Sequence, residues 1–394
     1  MEFTKVWKST KIGEIADIVG GGTPRTEVEE YWDGEIKWFT PSEIGKTKYI
    51  FDSKRHITDK GLKNSSAKLL PKDTILLSSR ATVGEISIAL TECSTNQGFQ
   101  SLITKNNVDN DFIYYLISTI KNEFLRRSSG STFLEISKNE IKRIPINIPE
   151  LSEQNKISNL FSAIDNKIEM LEKKHQYYQD FKKYLMQRIF SSQDDKLRFD
   201  NSSKIQKEIQ LSDVISIINK RNKNDENIPV LSISNKFGFI SQTEQFEDRE
   251  VASSDKKNYK IVNKGEFAYN PARINVGSIA QLKNYEKGII SPMYIVFKVD
   301  SNVLNQTYFE NFLDSDYFRY EMMKRLEGSV RMILSADSLK NIKITIPSID
   351  EQEKLSKVFL AFDKKIKITK YQLDKTQEFK KGLLQQMFVV RINW

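Results

Sequence analysis

One amphipathic helix pattern occurs twice in this chain, and the two copies constrain its architecture more than any other feature. The segment PELSEQNKISNLFSAIDNKI begins at Pro149, and PSIDEQEKLSKVFLAFDKKI begins at Pro347, 347 − 149 = 198 residues later. The ends of the helices repeat as well, as FKKYLMQRIF from Phe181 and FKKGLLQQMF from Phe379. A duplication of this length predicts two structurally similar halves.

Apolar residues recur every three or four positions along each copy, which is typical of a helix that packs against another helix. They are Ile157, Phe161, Ile164, Ile168, Leu171, Tyr178, Leu185 and Ile189, and then Leu355, Phe359, Phe362, Ile366, Leu373, Phe379, Leu383 and Met387. A proline precedes each helix, and Ser152 and Asp350 are the candidate N-cap residues. A helix of about 40 residues spans about 60 Å, nearly two turns of B-DNA. A coiled coil that only dimerises or separates domains is the alternative.

Two globular segments alternate with the helices. Strand-like runs such as TILLSS from Thr74 and IPVLSIS from Ile228 accompany helix-like runs that start at Asn110 and Gln306. We predict an α+β fold with a pseudo-twofold internal repeat. Its segments are a first mixed α/β domain over 1–148, a helix over 149–190, a polar linker over 191–207, a second domain over 208–346 and a second helix over 347–390. The helices repeat more faithfully than the domains, so the two domains are expected to recognise different targets.

Composition narrows the class of protein. The 394 residues suffice for two domains, and a mean hydropathy of −0.50 without a long apolar run argues against a membrane span. A single cysteine, Cys93, excludes an internal disulfide framework, and the amino terminus carries no apolar signal segment, so we expect a cytoplasmic protein. A net charge of +9 and a pI near 9.1 are compatible with a nucleic-acid partner.

Three sequence blocks resemble those of a known family. GGGTPRTEVEEYWDGEIKWFTPSEI from Gly20, SSRATVGEIS from Ser78 and NQGFQ from Asn96, with the two proline-led helices that begin Glu-Gln-x-Lys-Ile and Glu-Gln-x-Lys-Leu, resemble the DNA specificity subunits of type I restriction-modification enzymes. The resemblance covers essentially the whole chain. It implies two target recognition domains, each recognising one half of a bipartite asymmetric site in double-stranded DNA. It also implies that the two long helices pack antiparallel and set the gap between the half-sites.

The resemblance has further implications for partners. Two methyltransferase subunits would dock on the helices, with Glu153, Gln154, Lys156, Glu351, Gln352 and Lys354 as the candidate contacts, and restriction subunits would bind through them. This chain would then carry no catalytic site, metal or cofactor, because S-adenosylmethionine binds the methyltransferase subunit. The second domain departs from the family pattern, with IINKRNKNDENIPVLSIS in place of the glycine-rich block.

Polar side chains in the three blocks of the first domain are the candidate DNA contacts. They are Thr23, Arg25, Thr26, Trp38, Thr40, Ser42, Arg80, Thr82, Asn96 and Gln97. Arg80 suits guanine or a phosphate, with a surface salt bridge as the alternative, and Asn96 and Gln97 suit adenine. Trp38 could contact a sugar or a thymine methyl group, or it could belong to the core. The glycine turn could approach DNA or be purely structural.

In the second domain the candidate DNA contacts are Arg221, Lys236, Arg273, Asn275 and Arg331. Arg273 occupies the place of Arg80, because NVG follows it as TVG follows Arg80.

Sequence motifs that could indicate catalysis are incomplete. The glycine run lacks the Gly-Lys-Ser/Thr of a nucleotide-binding loop, and NPAR from Asn270 lacks the second proline and the aromatic residue of an adenine methyltransferase loop. Two histidines and one cysteine cannot form a Cys-His zinc site. The alternatives to a DNA-binding subunit are a coiled-coil adaptor whose globular domains bind proteins, and an enzyme fused to a recognition module.

Overall fold

The computed structural model describes residues 7–130, 134–190, 207–235, 237–241, 256–328 and 332–389. The chain forms two compact units. Unit 1 comprises Met1–Glu172 and Tyr371–Trp394, and unit 2 comprises Lys173–Lys370. Each unit therefore contains one predicted domain, the beginning of the long helix that follows it, and the end of the other long helix.

Unit 1 combines short strands with short helices and the start of the first long helix. Its strands are β1 (Lys8–Lys11), β2 (Ala16–Gly20), β3 (Trp32–Phe39), β4 (Tyr49–Ile50), β5 (Arg55–Ile57), β6 (Ile75–Leu77), β7 (Ile86–Ala89), β8 (Cys93–Thr95), β9 (Gln100–Thr104) and β10 (Pro145–Ile148). Its helices are α1 (Ile12–Ile15), α2 (Asp59–Lys63), α3 (Asn110–Thr119), α4 (Lys121–Arg126), α5 (Lys138–Arg143) and α6 (Leu151–Phe190), the last of which continues into unit 2.

Two sheets of unit 1 position its loops. The larger sheet has the strand order β2-β9-β6-β7-β4, and the smaller has the order β5-β3-β8, in which β3 and β8 run parallel. Strands β6 and β7 are buried along their whole length, which explains why their sequences are almost continuously apolar. The larger sheet, α3 and the start of α6 share one hydrophobic core.

Unit 2 is built in the same way. Its strands are β11 (Lys207–Gln210), β12 (Ile215–Ile218), β13 (Leu231–Ser234), β14 (Gly238–Ser241), β15 (Lys260–Asn263), β16 (Phe267–Tyr269), β17 (Ile279–Gln281), β18 (Lys287–Ile290), β19 (Ile295–Val299) and β20 (Lys343–Ile346). Its helices are α7 (Gln306–Leu313), α8 (Asp316–Met323), α9 (Ala336–Lys340) and α10 (Ile349–Leu384), the last of which continues into unit 1 and is followed there by a π-helical turn, Gln385–Val389. Strands β12, β19, β16 and β17 form its largest sheet, in that order.

In unit 1 the end of the second long helix packs against the start of the first. The ring of Phe388 lies 5.5 Å from that of Phe112 and 5.9 Å from that of Phe161. Eight residues earlier, the Lys380 ammonium lies 2.5 Å from the Asp165 carboxylate. Residue numbers rise along one segment as they fall along the other, so the two segments are antiparallel.

Unit 2 contains the equivalent pair. The ring of Phe190 lies 5.0 Å from that of Tyr308 and 6.3 Å from that of Phe359, and the Lys182 ammonium lies 2.7 Å from the Asp363 carboxylate. Phe190 and Lys182 precede Phe388 and Lys380 by 198 residues, the spacing of the sequence repeat. The predicted α+β class, the internal repeat and the antiparallel helices are thus confirmed within each unit.

The helix starts differ from the expectation by one or two residues. Helix α6 begins at Leu151, so Ser152 lies in its first turn, and the carbonyl of Glu150 accepts the hydrogen bond of the Gln154 backbone N–H. Helix α10 begins at Ile349, one residue before Asp350, and the Ser348 hydroxyl accepts a 3.4 Å hydrogen bond from the Glu351 backbone N–H. Ser152 and Asp350 are therefore not the N-caps, because each helix starts sooner after its proline.

The helix-like runs from Asn110 and Gln306 are each broken into two helices. In the second run, the Ser315 hydroxyl accepts a hydrogen bond from the Phe318 backbone N–H and starts a new helix. Within the described ranges, none of the helices has both the length and the apolar character that crossing a membrane requires.

Candidate nucleic-acid interface

Backbone hydrogen bonds bring the predicted contact loops of unit 1 together. The backbone N–H of Gly22 donates to the carbonyl of Thr95 at 2.8 Å, and that of Asn96 donates to the carbonyl of Phe39 at 3.1 Å. The glycine turn, the turn after β3 and the loop between β8 and β9 are therefore neighbours. These three loops, whose residues are spread over 75 positions of the sequence, therefore form one surface.

The loop that carries Arg80 joins the same group. The backbone N–H of Ser79 donates to the carbonyl of Gly98 at 2.8 Å, which fixes this loop beside the one that carries Asn96. The Arg80 guanidinium lies 3.8 Å from the Glu135 carboxylate, and both side chains are about half exposed, at 46% and 48%. The surface ion pair weighed as an alternative is thus present, and the Arg80 side chain remains accessible to solvent.

The glycine turn is close to the chain's own backbone. A Cβ atom at Gly21 would overlap the carbonyls of Thr95 and Asn96, and one at Gly22 would overlap the backbone of Ser66 and Ala67. Both glycines are required by internal packing, which supports the structural alternative for this turn. The turn nevertheless leads into two exposed side chains, those of Arg25 and Thr26.

Three predicted contacts follow the glycine turn. Arg25 and Thr26 are exposed, and the Thr23 hydroxyl, which is half-buried, donates a hydrogen bond to the side-chain oxygen of Gln97. The Asn96 side-chain oxygen accepts a hydrogen bond from the Gly98 backbone N–H at 2.9 Å. In this conformation the amide oxygens of Asn96 and Gln97 each accept one internal hydrogen bond, which orients both side chains and leaves each oxygen a second lone pair for adenine.

Trp38 belongs to the core, which corrects its assignment as a DNA contact. Its side chain is 4% exposed and its ring lies 5.1 Å from that of Trp32, edge to face. The Trp38 indole N–H donates to the carbonyl of Gly22 at 2.9 Å, and the Trp32 indole N–H donates to the carbonyl of Arg25 at 3.1 Å. The two tryptophans thus stabilise the glycine turn and the residues after it, because each indole N–H donates a hydrogen bond to one backbone carbonyl of this segment.

The turn after β3 is held by a reciprocal cap. The Thr40 hydroxyl and backbone N–H both donate to the Glu43 carboxylate, at 2.7 and 2.8 Å, and the Ser42 hydroxyl lies 3.1 Å from that of Thr40. The Thr82 hydroxyl lies 2.9 Å from that of Ser78. These hydroxyl groups are held in place by neighbours of their own loops.

Unit 2 repeats one backbone feature of the Arg80 loop, its left-handed glycine. Gly277 has a φ of 92° and Gly84 a φ of 88°, and in both loops the arginine stands four residues before the glycine. This left-handed conformation favours glycine, which explains why the Val-Gly pair persists while neighbouring residues differ. Arg273 and Asn275 are exposed beside Gly277.

The remaining predicted contacts of unit 2 are separate. The backbone of Arg221 forms a β-bridge with that of Lys260 in β15, which lies outside the sheet that carries the Arg273 loop. The Arg221 guanidinium donates a hydrogen bond to the side-chain oxygen of Asn258 at 3.0 Å. Burial and the nearby charge of Arg221 lower the pKa of Lys260. Lys236 and Arg331 lie outside the described residues.

Gln154 and Gln352 have an internal role that corrects their assignment as partner contacts. The Gln154 side chain is 1% exposed, accepts a hydrogen bond from the Asp109 backbone N–H at 3.0 Å and donates to the carbonyl of Pro149 at 2.9 Å. Gln352 is fully buried and accepts from the Asn305 backbone N–H at 2.8 Å. In each unit this glutamine fastens the long helix to the helix of the domain.

The glutamates and the lysines of the repeated Glu-Gln-x-Lys motif differ in burial. Glu153 and Glu351 are buried, so they too present little surface to a partner, whereas Lys156 and Lys354 are exposed. The motif is therefore mainly structural, and only its lysines remain candidates for contact with another subunit. Asp109 and Asn305, which cap α3 and α7, were missed in the sequence, although an Asp or Asn before an apolar helix is a recognisable signal.

A half-buried lysine in unit 1, Lys48, was also missed. The Lys48 ammonium lies 3.0 Å from the Tyr115 hydroxyl, 3.0 Å from the Ser162 hydroxyl and 3.2 Å from the Asp111 carboxylate. Burial lowers the pKa of Lys48, and these partners compensate for part of the cost of desolvation. The Tyr115 hydroxyl in turn donates to the Asp165 carboxylate at 2.6 Å. This network joins the β4 region, α3 and α6.

Large apolar side chains are exposed on the long-helix segments of both units. In unit 1 they include Met170, Tyr371 and Phe379, and in unit 2 they include Tyr177 and Leu360. Exposed aromatic residues on a helix are typical of protein contact surfaces. Among the described residues, no three His, Cys, Asp or Glu side chains are grouped closely enough to hold a metal ion.

Comparison with known sequences identifies relatives of part of the chain and of nearly the whole chain. The chain is 40% identical over 176 residues to the MjaIX type I restriction enzyme specificity subunit of Methanocaldococcus jannaschii, covering 44% of this chain and 41% of that protein. It is 27% identical over 192 residues to the EcoR124I/EcoR124II specificity subunit of Escherichia coli, covering 44% and 47%. These two matches span less than half of each relative. The MjaVIII specificity subunit of M. jannaschii is 24% identical over 412 residues, covering 98% and 93%.

Solved structures share the fold. The crystal structure of the S subunit of a type I restriction-modification system from M. genitalium covers 98% of both chains, with a TM-score of 0.60 and 17% identity. The HsdS subunit from Thermoanaerobacter tengcongensis also covers 98% of both, with a TM-score of 0.50 and 14% identity. The family described as type I restriction modification DNA specificity domain matches residues 4–177 and again residues 205–377. Since these two matches cover most of the sequence, the chain belongs to the type I restriction modification DNA specificity family.

Proposed function

We propose that this chain is the non-catalytic DNA-binding subunit of a type I restriction-modification complex, and that each unit recognises one half of a bipartite asymmetric site. The observation that carries the proposal is the convergence in unit 1 of four loops rich in hydroxyl, carboxamide and guanidinium groups. Such groups hydrogen-bond base edges and phosphates. The Arg273 loop of unit 2 has the left-handed glycine of the Arg80 loop but different side chains, so we expect the second half-site to have a different sequence.

The long helices have two roles in this proposal. A helix of 40 residues spans about 60 Å, and this length sets the number of base pairs between the half-sites. The helices also dock two methyltransferase subunits, for which the exposed apolar residues of the helices and the lysines Lys156 and Lys354 are the candidate contacts. Those subunits bind S-adenosylmethionine and methylate adenine, and restriction subunits join the complex through them.

The decisive experiment is methylation-sensitive genome sequencing of cells that express this chain with its methyltransferase subunit. We expect modified adenines within a single motif that has two unlike half-sites and a gap of fixed length. Cells that express the methyltransferase alone provide the control and should lack this motif. An identical methylation pattern with and without the chain would contradict the proposal.

A coiled-coil adaptor whose domains bind proteins is the competing function, and the exposed aromatic residues of the helices favour it. A salt titration against duplex DNA separates the two. A DNA-binding subunit loses affinity steeply as salt rises, because its cations release counterions from phosphates. An adaptor shows weak binding with no sequence preference at any salt concentration.

A further inference from the structure

Arg55 of unit 1 is an exposed cation that is held in a fixed position. Its guanidinium carbon lies 3.5 Å from the centre of the Trp32 ring and 5.6 Å from that of Trp38. Both tryptophans are buried and pack edge to face, so the surface on which the guanidinium rests is rigid. A guanidinium above an indole face is attracted by the ring quadrupole, which restricts the motion of a side chain that is otherwise flexible.

Two of the predicted contact loops flank Arg55. The Trp32 indole beneath Arg55 donates to the carbonyl of Arg25 in the glycine turn. On the other side, the backbone N–H of Lys54 donates to the Glu43 carboxylate at 2.7 Å, and Glu43 caps the turn of Thr40. Arg55 therefore lies between the glycine turn and the turn after β3.

Arg55 also differs in its charge partners from Arg126 and Arg143, two other surface arginines of unit 1. Arg126 pairs with Glu123 at 2.8 Å and Arg143 pairs with Glu140 at 3.2 Å. The Arg55 guanidinium has no ion pair or hydrogen bond within the described part of the chain, where its contacts are the two tryptophan rings. An immobilised guanidinium without a carboxylate partner keeps all of its N–H donors available to an anion.

We propose that Arg55 binds a backbone phosphate of the DNA beside the bases that the neighbouring loops recognise. This inference rests on the proposed function and adds a contact that the sequence blocks did not indicate. A phosphate is the expected anion because the guanidinium is held against its own domain, with its carbon 3.5 Å from the centre of the Trp32 ring. Base edges lie at the floor of a groove about 8.5 Å deep, whereas phosphates lie at its rim. Phosphate contacts fix the orientation of a protein on the duplex without selecting the sequence.

The test uses the full chain and two variants that separate charge from packing. Arg55→Met keeps an unbranched apolar stem over Trp32 and removes the charge, whereas Arg55→Lys keeps the charge and loses the planar fork. Arg143→Ala is the matched control, because it removes an exposed arginine from α5. Binding is measured at several salt concentrations to a duplex selected by the wild-type chain from a random pool and to a random-sequence duplex of equal length. Tryptophan fluorescence checks that unit 1 is folded.

We expect Arg55→Met to weaken binding about tenfold to both duplexes, because it removes one charge-assisted contact. Its slope of log affinity against log salt should be shallower by about 0.9, while Arg55→Lys and Arg143→Ala keep the wild-type slope. Wild-type affinity and slope in a folded Arg55→Met chain would overturn the phosphate contact. So would a loss restricted to the selected duplex, which would indicate a base contact. A wild-type chain that prefers neither duplex and shows no salt dependence would instead refute the proposed function itself.

Discussion

The side-chain oxygen of Gln352 accepts a hydrogen bond from the backbone N–H of Asn305 at 2.8 Å, and this contact fastens a 36-residue helix to the domain that precedes it. Gln154 makes the same contact with Asp109 in unit 1. Both glutamines also donate to the carbonyl of the proline just before their helix. The repeated motif thus preserves the junction between domain and helix.

Removing one of these glutamines should destabilise its own unit. Gln154→Leu has a similar volume but leaves the Asp109 N–H buried without a partner, which costs about 1–3 kcal/mol. The tryptophans within the described residues, Trp7, Trp32 and Trp38, all belong to unit 1, so tryptophan fluorescence during urea unfolding reports on that unit. We expect the fluorescence transition to move to lower urea for Gln154→Leu and not for Gln352→Leu. Asn155→Ala, an exposed neighbour, is the control.

Arg80 and Arg273 should affect different half-sites. Because they occupy equivalent loops in separate units, Arg80→Ala should weaken contacts to one half of the recognised sequence and Arg273→Ala to the other. Each loss should amount to about 1–3 kcal/mol if the arginine contacts a base. Footprinting of each variant on the selected duplex measures the effect. Equal loss of protection in both halves with either variant would disprove the assignment.

Cys93 should make the stability of unit 1 sensitive to alkaline pH. Burial raises the pKa of this thiol to about 12, whereas an unfolded cysteine ionises near pH 8.5. Below about pH 8.5 the thiol is neutral in both the folded and the unfolded chain, so the free energy of unfolding is not reduced. Between about pH 8.5 and 12 only the unfolded chain ionises, so the free energy of unfolding falls as the pH rises. At pH 10 this loss is about 2 kcal/mol.

The comparison of wild type with Cys93→Ala isolates this effect from other groups that titrate at high pH. Chemical unfolding at pH 7.5 and pH 10, followed by tryptophan fluorescence, gives the free energy of unfolding of each protein. We expect the wild type to lose about 2 kcal/mol more than Cys93→Ala between the two conditions. Parallel losses would mean that the thiol is not protected in the folded unit.

Lengthening both long helices should lengthen the gap in the recognised site. An insertion of seven residues preserves the apolar seam, and it extends each helix by about 10 Å, or about three base pairs. The insertions belong at residues 172–173 and 370–371, where the helices pass from one unit to the other. Genome methylation in cells that carry the altered chain measures the gap. An unchanged gap would refute the spacing role of the helices.

The sequence was most informative where contacts are local or repeated. The apolar seam and the prolines predicted both long helices to within two residues of the observed start, because periodicity and backbone restriction act over a few positions. It was least informative about Gln154, since a glutamine among charged residues near a helix start resembles an exposed residue. Its burial depends on the Asp109 N–H, which lies 45 residues away.

The candidate site was predicted in a similarly uneven way. The order of the blocks predicted which loops form the candidate site, and the backbone contacts of Asn96 and Ser79 place those loops side by side. Periodicity and composition left open whether Trp38 is core or surface, because an indole suits both environments. The sequence did not indicate Arg55 as a contact. Its position depends on the ring of Trp32, 23 residues earlier, and on the turn after β3, to which Glu43 belongs.

The place of Phe388 in unit 1 has a consequence for biosynthesis. Trp7, Phe112 and Phe161 are made early, but the ring that packs on them is added only after all of unit 2 has been translated. At common elongation rates that interval is on the order of ten seconds or more. Until the ribosome has translated the segment that carries Phe388, the nascent unit 1 presents an uncovered aromatic pocket, and a message cut short before that segment yields a polypeptide that a chaperone or protease can distinguish from the chain with Phe388 in place.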